Sequence, residues 1–356
     1  MKIHNFSAGP SILPQEVLQE SSKAVLDFNQ SGLSILEISH RSKDFIAVMD
    51  KAVALVRELL SVPEDYEVLF LQGGASLQFV MIPFNLMKIG GKAGYLDTGE
   101  WSSKALKEAK KFGEVVVLAS SEDKNHTYIP KDYVIPADLD YIHLTSNNTI
   151  FGTQIQSFSK QAVPVVCDMS SDIFSRKINV ADFDLIYAGA QKNMGPAGAT
   201  LVIVKKDILG KTGRDIPSYL DYQVHAKAES MFNTPPVYAT YVSMLTLQWL
   251  KDKGGVEAIE KINNEKADLL YKELERNALF KTVAQVEDRS KMNVTFLLAD
   301  ENLTETFDAF WKSKGISAIS GHRKVGGYRA SIYNALSKES VLYLIEVLQE
   351  FEKQNS

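Results

Sequence analysis

Between residues 66 and 206 the chain alternates short, uninterrupted apolar runs with longer mixed stretches. The runs are Val68–Leu71, Ala93–Leu96, Val115–Leu118, Tyr141–Leu144, Val165–Cys167, Leu185–Tyr187 and Leu201–Val204. Their shortness and β-branched content favour strands over helix segments. Unbroken apolarity is what a strand covered on both faces requires. The stretches between them, such as Leu77–Met87 and Trp101–Phe112, read as helices. The pattern predicts an α/β fold with a mostly parallel central sheet of about seven strands and helices on both faces.

The rhythm changes downstream. Residues 235–277 read as helical, opened by Pro235 and Pro236 and broken at Gly254-Gly255. Past residue 280 two strand-like pieces, Asn293–Leu298 and Ala330–Tyr333, are interspersed with two helices. Ser337 is a good N-cap for the last helix, Glu339 falls in its first turn, and Val341, Leu344, Ile345 and Leu348 form its apolar stripe. A chain of 356 residues exceeds one typical small core. The expected division is a large unit over 16–257 and a smaller α+β unit built from 1–15 and 258–356.

Composition narrows the function classes. The formal net charge is −5, so there is no basic excess to neutralise a nucleic-acid backbone. The lysines at 104, 107, 110 and 111 are interleaved with Glu108 and read as a solvated helix face. Cys167 is the single cysteine, which excludes an intramolecular disulfide and fits a reducing compartment. No apolar segment has signal-peptide or membrane-span length, so the expected location is cytoplasmic, with no membrane partner. His4, His126, His143 and His225 lack metal-ligand spacing, and no metal is expected.

The chemically unusual residues gather just past the strands. Gly73-Gly74-Ala75-Ser76 follows the first run and opens a helix, a combination suited to holding an anion on free backbone N–H groups. The same glycines would equally serve a turn that needs positive φ. Trp101 follows the second run, Thr149 the fourth, Asp168 the fifth and Lys192 the sixth. Taken singly, each has a plain reading as a packing, turn or surface residue. Together they sit where ligands bind in open α/β sheets, outside the carboxyl ends of the strands. A desolvated lysine can act as a Schiff-base amine. An Asp that faces a pyridinium nitrogen completes the pair that pyridoxal phosphate chemistry needs. Farther on, Gly321-His322-Arg323 and Arg329, with His40-Arg41 near the start, supply cations for a doubly anionic substrate.

Several of these segments coincide with one family. The chain resembles the phosphoserine aminotransferases, which are fold-type I pyridoxal phosphate enzymes, over essentially its whole length. The likeness is carried by Phe6-Ser7-Ala8-Gly9-Pro10, Glu37-Ile38-Ser39-His40-Arg41, Gly73 to Phe79, Asp168 to Asp172 and Ala190-Gln191-Lys192-Asn193. It continues through Asn233-Thr234-Pro235-Pro236 and from Gly321-His322-Arg323 to Arg329-Ala330-Ser331-Ile332-Tyr333-Asn334.

The resemblance implies transfer of the amino group of L-glutamate to 3-phosphohydroxypyruvate, giving O-phospho-L-serine and 2-oxoglutarate in serine biosynthesis. It also admits 4-phosphohydroxy-L-threonine of vitamin B6 biosynthesis. It implies pyridoxal 5'-phosphate as cofactor, with Lys192 as its Schiff-base lysine and proton shuttle and Asp168 on the pyridine nitrogen. Trp101 would stack on the ring, Thr149 would contact its 3-oxygen, and Ala75, Ser76 and Gln191 would hold its phosphate. Asn233 and Thr234 would reach the phosphate in a neighbouring subunit, which makes a homodimer the functional unit. Ser7 and Arg329 would take the substrate's α-carboxylate end, and His40, Arg41, His322 and Arg323 its distal anion. Some members carry an Arg where this chain has Ser76, so the sharing of the distal anion among those four residues stays open.

Two other classes compete with this reading. One is a related type I enzyme, such as a serine–glyoxylate aminotransferase or a cysteine desulfurase; a desulfurase needs an exposed nucleophilic cysteine, whereas Cys167 falls inside an apolar run. A non-catalytic binding module that kept the fold would form no coloured adduct with pyridoxal phosphate.

Overall fold

The computed structural model describes residues 2–323 and 325–355; Lys324 of the basic loop is outside the described residues. The chain opens with β1 (His4–Asn5), α1 (Gln15–Leu26) and α2 (Lys43–Leu60). Next come β2 (Tyr66–Leu71), α3 (Gly74–Leu86), β3 (Lys92–Asp97), α4 (Glu100–Ala109), β4 (Glu114–Ser120) and β5 (Tyr141–Thr145). A short hairpin, β6 (Asn147–Asn148) and β7 (Thr153–Gln154), precedes β8 (Val165–Asp168), β9 (Leu185–Gly189) and β10 (Thr200–Lys205). Then follow α5 (Tyr222–Lys227), α6 (Val237–Asp252), α7 (Gly255–Arg276), β11 (Phe280–Thr282) and β12 (Asn293–Leu298). The last elements are α8 (Thr304–Ser313), β13 (Ile316–Ser317), β14 (Tyr328–Ser331) and α9 (Lys338–Asn355).

All seven apolar runs are strands of one sheet, in the order β2-β10-β9-β8-β5-β3-β4. β10 runs antiparallel to both its neighbours, and the remaining pairs are parallel. The uninterrupted apolar runs follow from two-sided burial. Val68 and Phe70 of β2 point into a core shared with α1, α2 and α6, while Leu69 and Leu71 point into one shared with α3, α4 and α5. The same alternation divides Ile142 from Tyr141 and Ile186 from Tyr187. β4 departs from the expectation of burial on both faces. It is the sheet edge, its residues are half-buried or exposed, and Val117 lies open to solvent.

The helical stretch from 235 is α6 and α7, parted at Gly254, whose φ of 96° suits a residue without a Cβ. A second sheet, β11-β12-β14, packs with α8, α9 and the later turns of α7 around Phe280, Phe296, Phe307 and Phe351. β14 begins two residues earlier than the sequence pattern indicates. Tyr328 pairs with Phe296 in register and stacks on its ring, which draws the strand start forward. β1 pairs in parallel with β13, and Phe6 is fully buried in this second core. Among the described residues, no helix is long and apolar enough to cross a membrane.

Candidate active site

Every parallel strand of the large sheet ends at one edge, and a cleft of about 360 Å³ opens there. Its walls include Gly74, Ala75 and Ser76 after β2, Trp101 after β3, and Thr149 after β5. Asp168 at the end of β8, Gln191 and Lys192 after β9, and His322 and Arg329 from the second core's side complete the expected set that meets here.

Local structure explains each placement. Gly73 and Gly74 both have positive φ, 88° and 63°. A Cβ on Gly73 would approach Leu77 to 2.5 Å, whereas one on Gly74 would meet nothing within 4 Å. The turn therefore needs its first glycine for packing and leaves the second open. The first-turn N–H groups of α3 have no carbonyl partner within the helix, which makes this end an anion site. Trp101 is set by the start of α4, where Ser102 and Ser103 donate to Asp97 Oδ1 at 3.0 and 2.7 Å. The Lys104 ammonium lies 4.5 Å from the Trp101 ring centroid.

Lys192 Nζ donates to Thr149 Oγ1 at 2.9 Å, and Arg329 Nη1 donates to the Thr149 carbonyl at 3.3 Å. One threonine thus touches both cations. Burial pulls the Lys192 amine down to about 8; the Asp168 carboxylate opposes this, and the Arg329 charge adds to it. Burial raises Asp168, while hydrogen bonds from Ser170 and the positive charge of Lys192 work the other way. Ser170 N–H donates to Asp168 Oδ1 at 2.9 Å. Trp101 Nε1 and Arg329 Nε are buried donors that meet no acceptor among the described residues. Such donors are costly unless a ligand supplies the acceptor.

Other expected residues lie elsewhere in the chain's own fold. Ser7, His40, Arg41, Arg323, Asn233 and Thr234 do not line this cleft. Arg41 and Arg323 are exposed. Thr234 accepts from Gln72 Nε2 at 2.7 Å through its carbonyl, and Asn233 lines a separate crevice with Gln72, Tyr219 and His225. Cys167 is fully buried and its thiol is pushed well up by burial, so it offers no exposed nucleophile for a desulfurase.

Sequence reasoning missed a buried polar file behind Asp168. Tyr187 is the cross-strand neighbour of Asp168, and its hydroxyl is hydrogen-bonded to His143 Nε2 at 2.9 Å. His143 stacks on Tyr95 with ring centroids 4.9 Å apart, and burial drops its pKa to about 3, so it is neutral. The available signal was a tyrosine or histidine at alternate positions of otherwise aliphatic strands.

The class-V aminotransferase family model matches residues 3–344. A phosphoserine aminotransferase of Flavobacterium johnsoniae is 68% identical over 353 residues, covering 99% of each chain. The chain belongs to the phosphoserine aminotransferase family. A family member from Bacteroides fragilis is 58% identical over 355 residues, again covering 99% of both chains. Among solved structures, the phosphoserine aminotransferase of Bacillus circulans subsp. alkalophilus superposes with a TM-score of 0.97 at 42% identity, covering 100% of this chain and 99% of that one. A pyridoxal-phosphate-bound phosphoserine aminotransferase from Trichomonas vaginalis gives 0.94 at 35% identity, covering 98% of this chain and 100% of that one. Membership of this family makes the chain a pyridoxal-phosphate-dependent transaminase of fold type I. The cleft fits that group: an open glycine cradle at a helix N-terminus for a phosphate, a buried carboxylate for a ring nitrogen, and a desolvated amine.

The lowered amine has a measurable consequence. Its folded value of about 8 lies below the unfolded value near 10.4, so the native state binds fewer protons between these limits. The cost of burying this group is therefore full below pH 8 and fades as pH rises toward 10.4. In protein freed of cofactor, the rate at which added pyridoxal phosphate bonds to Lys192 is expected to rise with pH around a midpoint near 8. Absorbance kinetics across pH check this, and a midpoint near 10.4 refutes it.

Proposed function

We propose that this transaminase moves the amino group of L-glutamate to 3-phosphohydroxypyruvate, giving O-phospho-L-serine and 2-oxoglutarate. The observation that carries this reading is the convergence on one cleft of Lys192, 2.9 Å from Thr149, with Asp168 and Arg329. Pyridoxal phosphate, when bound, supplies an aldehyde for amine exchange and a ring that withdraws the electron pair left at the substrate Cα.

The chain's residues supply the rest. Ala75, Ser76 and Gln191 would hold the cofactor's phosphate at the α3 N-terminus. Trp101 would stack on the ring, Thr149 would contact its 3-oxygen, and ionised Asp168 would keep the ring nitrogen protonated. Lys192 would hold the aldehyde and, as a free amine, would take the substrate's Cα proton at Nζ. A pKa of about 8 leaves a usable fraction of free base at neutral pH, which an ordinary lysine lacks. Arg329, whose Nε meets no acceptor among the described residues, takes the α-carboxylate with Ser7. His322, on the cleft wall, shares the distal anion with His40, Arg41 and Arg323.

Asn233 and Thr234 lie off the chain's own cleft, which supports a homodimer in which they complete the neighbour's site. The unit over 16–257 then carries the cofactor, and the unit of 1–15 with 258–356 carries substrate contacts. The burial of Phe6 in the second core supports that division. A buried single cysteine and close bacterial relatives support a cytoplasmic location.

The direct test is a half-reaction. O-phospho-L-serine added alone shifts the bound cofactor's visible absorbance, and 2-oxoglutarate returns it. The absence of a shift with phosphoserine overturns the reading. 4-phosphohydroxy-L-threonine in a parallel cuvette decides whether it is a second substrate. Arg329→Ala is expected to raise KM for glutamate and phosphoserine by about 30-fold or more, because an anion loses its bidentate partner in a desolvated site. Unchanged steady-state kinetics with both would remove Arg329 from the site.

A further inference from the structure

Lys266 of α7 has no part in the chemistry above, yet its side chain is fully buried. Lysines are almost never placed so unless paired. Among the described residues no carboxylate pairs with it. Its Nζ instead donates to three backbone carbonyls, those of Ile332 at 2.9 Å, Tyr333 at 2.8 Å and Leu336 at 3.0 Å. Burial draws the amine down to about 7, and three converging carbonyl dipoles favour the charged form. Only the ammonium has three hydrogens to give; a neutral amine would leave one carbonyl facing a lone pair.

The segment so held, 332–336, links β14 to α9 and reaches the cleft by several routes. Three residues upstream of it is Arg329. Asn334 N–H donates to Asn193 Oδ1 at 3.0 Å, and Asn193 is the residue after Lys192. The Tyr333 hydroxyl donates at 2.9 Å to the carbonyl of Ala8, a residue of the cleft wall. From the other side, Asn263, one turn before Lys266 on α7, donates to Asn334 Oδ1 at 2.8 Å. Asn334 Nδ2 in turn donates to the Phe174 carbonyl at 2.9 Å.

We propose that Lys266 is a positioning residue for substrate binding, its ammonium fixing the 332–336 turn so that Arg329, Asn193 and Ala8 keep their places at the cleft. The proposal rests on Arg329 as the α-carboxylate ligand. Lys266 touches neither substrate nor cofactor and acts wholly through the turn. A hydrophobic side chain of similar length can fill its volume but cannot gather the carbonyls, so the turn relaxes and the arginine fork shifts.

The test uses the holoenzyme with Lys266→Met and glutarate, an unreactive dicarboxylate whose binding is read from the cofactor's absorbance. KM for glutamate and for phosphoserine is expected to rise about tenfold, and the glutarate Kd with it, while kcat stays within about threefold. A lowered Tm with KM and glutarate Kd unchanged makes the lysine merely structural and overturns the proposal. Where Lys266→Met does not fold, Asn334→Ala unties the same turn without stranding a charge. Its glutarate Kd is expected to rise, and an unchanged value overturns the proposal. Arg329→Ala separates the two layers of the argument. If it binds glutarate normally, the assignment of Arg329 falls and the proposal with it. If it loses glutarate while the Lys266 and Asn334 variants keep it, the proposal alone falls.

Discussion

Lys192→Ala is expected to lower kcat by at least about 10⁴-fold, the upper range for a single positioned acid–base group. In the proposed mechanism the residue has two tasks, to anchor the cofactor and to carry the Cα proton, and alanine removes both. Among the described residues no other side chain of the cleft can replace it. Thr149, 2.9 Å from Nζ, has a hydroxyl that stays protonated at working pH, and Asp168 is needed elsewhere as an anion. The cleft itself should survive, because among the described residues the Lys192 side chain makes one hydrogen bond in it while the backbone around 190–195 is held independently. Ser11 N–H donates to the Gln191 carbonyl at 2.9 Å, and Gly195 N–H donates to the Ala190 carbonyl at 2.8 Å. Two measurements check this. Rapid mixing with phosphoserine should show the loss of proton transfer, and mass spectrometry after borohydride reduction should show no cofactor mass on the chain. Activity within about 100-fold of the wild type would move the base to another residue.

The second large effect belongs to Asp168. Asp168→Asn keeps the shape and removes the charge that, in the proposed mechanism, would face the ring nitrogen. Breaking one half of a buried charged pair costs about 3–5 kcal/mol, which corresponds to a fall of roughly 10²–10⁴-fold in kcat. Cofactor affinity should fall as well, measured by dialysis against graded pyridoxal phosphate. The polar file of Tyr187 and His143 behind Asp168 gives the variant a distinctive sign. An asparagine can accept but not neutralise a ring proton, so the bound cofactor's absorbance should titrate where the wild type's does not. A variant with normal turnover and a flat spectrum from pH 6 to 9 would show that Asp168 does not set the ring's charge.

Much of the fold is legible in the amino-acid sequence. The strand runs were readable because both faces of the large sheet are covered, so apolarity is unbroken from Val68 to Leu71 or from Leu201 to Val204. The site was readable because an open α/β sheet sends its strand ends to one edge, and Asp168, Lys192 and Thr149 are each a residue or a few past a run. The reversal of β10 was not readable, since its run looks like the others and direction depends on where the chain returns. Tyr187 and His143 were hidden for a related reason: inside a strand, an aromatic ring counts as filler until its neighbour across the sheet is known. Lys266 was hidden by its helix. On α7 a lysine among Asn263, Glu265 and Asp268 reads as solvated, and only the arrival of the 332–336 turn, 66 to 70 residues later, buries it. His40 and Arg41 carry a signal in their residue types, but their distance from the chain's own cleft follows from tertiary path alone.

The pairing of β1 with β13 bears on how the molecule is made. His4 sits against Ile316 in register, and its ring nitrogen meets Ser340 across 336 residues of chain. On a ribosome β1 emerges about 300 residues before its partner strand. The large sheet can assemble as its strands appear, but the second core must wait, with Phe6 unburied, for β13, β14 and α9 to arrive. Closing so long a loop is slow because its entropy is lost before any contact repays it. The late step in maturation should therefore be the docking of β1 onto β13, and a nascent chain stalled before residue 316 should display an intact sheet with a loose, protease-sensitive β1 segment.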